Sequence, residues 1–273
     1  AGRASAKAAG VVIDDTAVTP RYVDGLKPER ELPIIRKIAM GSLRNKLLII
    51  LPAILLLSQF LPWSLTPILM VGGTYLAYEG AEKIWEMVAG HEHAVEAVAA
   101  DDPDHEKTVV SGAVRTDFIL SAEIIVISLG AVAAKAFAVQ VGVLIGVAII
   151  MTIGVYGLVG AIVKLDDLGL WCVRDAATSL FATIKRGFGR FLLWGAPKLM
   201  KFLSVAGTAA MFLVGGHILV EGVAILHHFA ESLHAKALGT LLGMLFDLVV
   251  GVVTGAIVLA GVAGVQKLRG KQA

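Results

Sequence analysis

A run of 28 residues, 238–265, contains one charged side chain, Asp247. About 20 helical residues cross a hydrocarbon core of about 30 Å, so the run predicts a transmembrane helix. A chain that places one helix in lipid must satisfy its remaining membrane-embedded backbone in the same way, which makes an all-α bundle the expected fold class. Gly239, Gly243, Gly251 and Gly255 flank Asp247 at four-residue steps. Such positions follow one inclined ridge of a helix, so the glycines predict a groove into which a neighbouring backbone presses. A carboxylate at that depth costs about 2.5 to 3.5 kcal/mol unless it faces a partner or a wet cavity. Asp247 is therefore the leading site candidate, as a proton or cation site or a substrate counter-charge. The plainer alternative is a structural carboxyl, hydrogen-bonded across the groove.

The composition agrees with a membrane protein. Hydrophobic residues make up 57% of the 273, charged residues 17%, and the mean hydropathy is +0.80, which excludes an ordinary soluble globular domain. The single cysteine, Cys172, excludes an internal disulfide. Apolar segments predict six spans at about 47–61, 65–85, 117–134, 139–163, 199–222 and 238–265, arranged as three hairpins. The first hairpin turns at Pro-Trp-Ser-Leu-Thr-Pro, a helix breaker with an interfacial tryptophan, Trp63. Nine lysines and arginines precede Leu47, Lys46 among them, and place a basic segment, 1–46, in the cytoplasm. Further Lys and Arg then alternate with the spans so that both termini, the 266–273 tail included, are expected inside. Residues 176–194 mix Leu180, Phe181, Ile184, Phe188, Phe191 and Leu192 with Lys185, Arg186 and Arg190, the pattern of an amphipathic helix on the cytoplasmic surface. The segment 79–104, with His91 and His93, reads as a helix end followed by a solvated loop.

An internal echo points further. Val71-Gly-Gly-Thr-Tyr-Leu-Ala-Tyr-Glu-Gly80 parallels Val214-Gly-Gly-His-Ile-Leu-Val-Glu-Gly222, and three crossings between them invert the second copy. Inverted repeats with glycine-interrupted helices mark transporter sites near the midplane; cheap matches in a glycine-rich membrane protein are the alternative reading. Four carboxylates and a histidine join the polar-core candidates: Asp247, Glu123, Glu79, Glu221 and His217. His217 and Glu221 share a helix face at the outer end, which suits a proton relay. His227, His228 and His234 lie close in sequence, but no tight zinc motif is present and no metal or cofactor is expected. Arg115, Asp117, Lys164, Asp166 and Asp167 are expected to meet as a cytoplasmic ion-pair cluster, with topology and helix-end electrostatics as the plain role and gating as the other. Gly142 and Gly146 give the fourth span a small-residue face for helix packing. No Gly-x-Ser-x-Gly, His-Glu-x-x-His or Walker loop appears, so no enzyme activity is expected.

Arg30-Glu-Leu-Pro33, Gly112-Ala-Val-Arg-Thr-Asp-Phe-Ile-Leu-Ser-Ala-Glu-Ile124, Gly154-Val-Tyr-Gly-Leu-Val-Gly160, Lys164-Leu-Asp-Asp-Leu-Gly169 and Met211-Phe-Leu-Val-Gly-Gly216 resemble the YedI family of bacterial inner-membrane proteins, from about residue 28 onward. The resemblance implies a bacterial plasma-membrane location and no established activity. Two functions follow as expectations. One is a secondary transporter or channel for a small solute or ion. The other is a non-transporting scaffold whose glycine ridges serve self-association and whose basic patches hold a partner or anionic lipid. Partners are the lipid bilayer and a further copy of the chain, with no nucleic acid.

Overall fold

Helix formation begins well before the first apolar segment. A computed structural model describes residues 28–89, 103–174, 180–234 and 238–269. Helix α1, Pro28–Asn45, runs through a π turn, Lys46–Ile50, straight into α2, Leu51–Phe60. The basic stretch around Arg30–Lys46 is thus the first half of one long helix and not a separate segment. The π turn has a local cause. Pro52 has no N–H and its ring crowds the carbonyl four residues back, and widening the preceding turn relieves that clash. The Leu51 N–H accordingly bonds to the carbonyl of Lys46, five residues back.

Leu61 leaves the helical region, a short 3-10 turn at Pro62–Ser64 follows, and α3, Leu65–Ala89, returns. Helix α4 is Pro103–Val132 and α5 is Phe137–Val163; the short α6, Leu165–Val173, caps the second pair. His91 and His93 lie outside the described residues. Helix α7 spans Leu180–Gly222 without a break, and α8, Ala224–His234, leads into α9, Gly239–Arg269. The surface helix expected at 176–194 is therefore not a separate element, and the described part of it continues through Pro197 into the fifth apolar segment. One interior proline removes one hydrogen bond at about 3 kcal/mol. Close packing of α6 on the first half of α7, where Gly169 and Gly189 bring the backbones together, offsets that loss. Four helical stretches, at Arg30–Phe60, Phe137–Val173, Phe181–Gly222 and Gly239–Lys267, are long and apolar enough to cross a membrane. Their outward sides carry large exposed hydrophobics such as Leu48, Ile150, Ile153 and Ile257, as lipid-facing helices do.

Contacts fix the directions of the long helices. Lys37 meets Glu106, Gly41 meets Val114 and Lys46 meets Asp117, so α1 and α4 run parallel. Ile34 and Ile38 pack with Val159 and Val163, whereas Ile50 to Leu55 pack with Leu144 and Ala148, so α5 runs the other way. Helix α3 opposes α4 through Thr116 to Glu79 and Ile119 to Gly72. Met70 touches Gly222, Gly73 touches Gly215, and Gly80 touches Phe212; α3 and α7 therefore cross antiparallel. Gly216 against Asp247 and Gly251 against Phe212 set α9 antiparallel to α7. The helices alternate in direction along the chain. Two sub-bundles result, α1/α2 with α4 and α5, and α3 with α7 and α9, and Ile119 and Leu120 of α4 pack into the second. Arg30, Arg36, Arg44, Lys107, Lys164, Lys185, Lys201 and Lys267 all gather at one end of the bundle.

Candidate polar site through helix α4

Helix α4 carries Thr116, Asp117, Ser121 and Glu123, all buried. Asp117 accepts four hydrogen bonds. Lys46 Nζ donates to both its oxygens at 3.0 and 3.1 Å, Tyr156 donates its hydroxyl to Oδ1 at 2.8 Å, and Ser121 donates to Oδ2 at 3.0 Å. Lys46 is 2% exposed and also donates to Ser42 at 2.5 Å. Ser42 and Lys46 are four residues apart, as are Asp117 and Ser121, so each helix presents its pair on one face. Tyr156 comes from α5. Both charges are thereby paired and hydrogen-bonded, the condition for holding ions out of water.

A second polar pair lies further from the basic end. His217 Nδ1 on α7 is 3.0 Å from Asp247 Oδ2 on α9. With the carboxylate ionised, Nδ1 carries the hydrogen and Nε2 is the exchangeable position. Glu123 and Glu221 are both close enough to act electrostatically on His217. Glu123 sits six residues beyond Asp117 on α4, about 9 Å at helical rise, and its charge acts on His217. Glu79 accepts a hydrogen bond from Thr116 at 2.9 Å on the basic side, and Glu221 lies 3.6 Å from His227 on the opposite side.

The groove around Asp247 is built from backbone contact. Gly239, Gly243, Gly251 and Gly255 are all buried. A Cβ on Gly251 would strike the Phe212 carbonyl, one on Gly255 the Ala77 carbonyl, and one on Gly216 the carbonyl of Asp247 itself. Only hydrogen fits at these positions.

Other expected residues fall elsewhere. Of the predicted cytoplasmic cluster, Lys164 and Asp167 pair, and Asp117 lies apart from them. Arg115 donates to Tyr75 at 3.3 Å, Lys164 pairs with Asp167 and Glu31, and Asp117 is drawn inward by Lys46. Asp166 neighbours Glu31 electrostatically. Gly142 and Gly146 meet nothing among the described residues: a Cβ at either would enter open space, so they pack against no described helix. His217 makes its hydrogen bond to Asp247 on α9, and Glu221, one turn along α7, acts on it electrostatically. Among the described residues no three His, Cys, Asp or Glu side chains are placed to hold a metal ion. Nearer the basic end, Lys37 and then Arg30 hydrogen-bond Glu106 and hold its carboxyl below the usual range.

Lys46 and Tyr156 are site residues that sequence reasoning missed. Lys46 counts there as one of nine topological cations, and the available signal was Ser42 one turn before it.

A family model described as a protein of unknown function (DUF808) matches residues 1–261. No curated protein and no solved structure matches the chain.

Proposed function

We propose that this chain, which belongs to the DUF808 family, is an integral membrane protein that moves a small solute or ion across the bilayer with the help of titratable groups. The file of buried polar side chains along α4 carries this reading. Its buried members are Thr116, Lys46, Asp117 and Glu123; the half-buried Glu79 flanks them on the basic side, and the half-buried His217 and Asp247 and the exposed Glu221 continue beyond Glu123. Buried ion pairs are weak contributors to stability, and ionisable groups within membrane helices are typical of ion and proton pathways. In this reading the Lys46–Asp117 pair is the station nearer the basic end. The His217–Asp247 pair is the outer station, where Nε2 takes up a proton while Asp247 balances the imidazolium. Glu123 passes charge between them.

The accompanying topology is six crossings with both termini on the Lys/Arg-rich side, and the alternation of helix directions supports it. The likeness to the YedI family supports the bacterial plasma membrane as its location. The antiparallel crossing of α3 and α7 supports an inverted repeat: Gly73 meets Gly215 at its centre, with Gly80 on Phe212 and Gly222 on Met70 to either side. No covalent catalysis is part of this reading.

The scaffold reading also has an observation in its favour, the backbone-to-backbone contacts among α3, α7 and α9, which suit a rigid bundle. Flux separates the two. Purified chain in proteoliposomes with an internal pH dye is given a membrane potential and a pH gradient. Transport predicts proton flux above protein-free vesicles, abolished by Asp247→Asn and by Glu123→Gln in variants that keep their helical content and monodispersity. Wild-type flux equal to that of empty vesicles across a panel of small ions and solutes would leave the scaffold.

A further inference from the structure

Between α1 and α4 at the basic end lies an open groove of about 490 Å³. We infer that it seats the phosphate headgroup of an anionic phospholipid, with the start of an acyl chain against its wall. The charge is right for a phosphate. Lys37, Arg44 and Lys107 line the groove, against one carboxylate, Glu106. That carboxylate is already engaged by Lys37 and Arg30, so it is not free to repel an anion at the opening. Arg44 presents a planar fork of donors that matches phosphate oxygens, and Ser111 adds a hydroxyl donor.

The wall is wrong for a free ion. Met40, Val110 and Val114 form an apolar surface in the same groove, which a phosphate ion would leave unused and a lipid chain would cover. The position is also a lipid's. The groove opens beside the point where α1 passes from its charged half into exposed apolar side chains such as Leu48 and Ile49, the level at which headgroups meet acyl chains. None of its lining residues belongs to the polar file through α4, so this site stands or falls apart from the transport reading.

The test uses the full chain in neutral detergent. It is titrated separately with phosphatidylglycerol, phosphatidylcholine and inorganic phosphate, and read by native mass spectrometry and by the unfolding midpoint. Phosphatidylglycerol is expected to bind saturably and raise the midpoint, with phosphatidylcholine and inorganic phosphate far weaker. Arg44→Gln with Lys107→Gln should weaken phosphatidylglycerol about tenfold or more, and Met40→Trp, which fills the groove and keeps its charge, should weaken it too. Lys185→Gln with Lys198→Gln, an equal loss of charge elsewhere at the basic end, should leave it unchanged. Three results would each overturn the proposal: equal binding of the two lipids, an equal loss in the Lys185/Lys198 control, or phosphate competing as well as the lipid does, which would make the groove an ion site.

Discussion

Lys46 shows how far a single residue's role depends on its partner. In sequence it opens an apolar segment and reads as the last positive charge before the membrane. In the bundle the π turn and the parallel course of α1 and α4 turn it onto Asp117. Removing one member of such a pair leaves an uncompensated buried charge, at about 3 to 5 kcal/mol, whereas replacing both by apolar groups is often neutral. Lys46→Met alone is therefore expected to destabilise by that amount in detergent denaturation. Lys46→Met combined with Asp117→Leu should recover most of the loss. Were the double variant as unstable as the single, the pair would be a packing element and not an electrostatic one. Asp247 was legible without a structure because a lone charge in 28 apolar residues needs no partner to be noticed. Lys46 and Tyr156 were not, since periodicity marks a face of one helix and says nothing of what another helix brings to it.

At the scale of elements, glycine spacing separates two uses of the same residue. The ridge on α9 meets the backbones of α7 and α3, whereas Gly142 and Gly146 on α5 face outward. Adding a methyl should therefore act in opposite senses. Gly251→Ala or Gly216→Ala drives a Cβ into a carbonyl that belongs to a neighbouring helix, and is expected to cost at least 2 to 3 kcal/mol, roughly the scale of overpacking a tight interface. Gly142→Ala and Gly146→Ala should be neutral, or stabilising by about 0.5 to 1 kcal/mol through helix propensity. Unfolding midpoints of the four variants give the ranking, and equal effects would show that the contacts are not what selects glycine. Helix positions were largely readable, because long apolar runs and the Pro-Trp-Ser-Leu-Thr-Pro breaker are strong local signals. Helix ends were not: α1 and α4 extend far past their apolar parts, and α7 runs through Pro197, because tertiary packing holds turns that composition would end.

Across the whole molecule, direction and charge agree. Each long helix opposes the one before it, and the ends that result sort the charges: Arg30, Lys107, Lys164, Lys185 and Lys267 at one pole, with the α2–α3 turn and α8 at the other. In the proposed six-span topology, a bilayer across the bundle would put Trp63 and His228 on the opposite side from Lys185. Trp63 is 73% exposed at the tip of its turn and Lys185 packs over the Trp171 ring near the start of α7, so cysteines at these positions report on side and not on burial. The native thiol must be removed first; Cys172 is buried against Gly189, and Cys172→Ala keeps that contact small. In intact cells a membrane-impermeant maleimide should then label Trp63→Cys and His228→Cys, and should reach Lys185→Cys only after permeabilisation. The positive-inside bias predicts that order because Lys and Arg are retained on the cytoplasmic side. Labelling at Lys185→Cys from outside would reverse the orientation, and labelling of both Trp63→Cys and Lys185→Cys from one side would mean that α2 and α3 do not form a membrane-crossing hairpin at all.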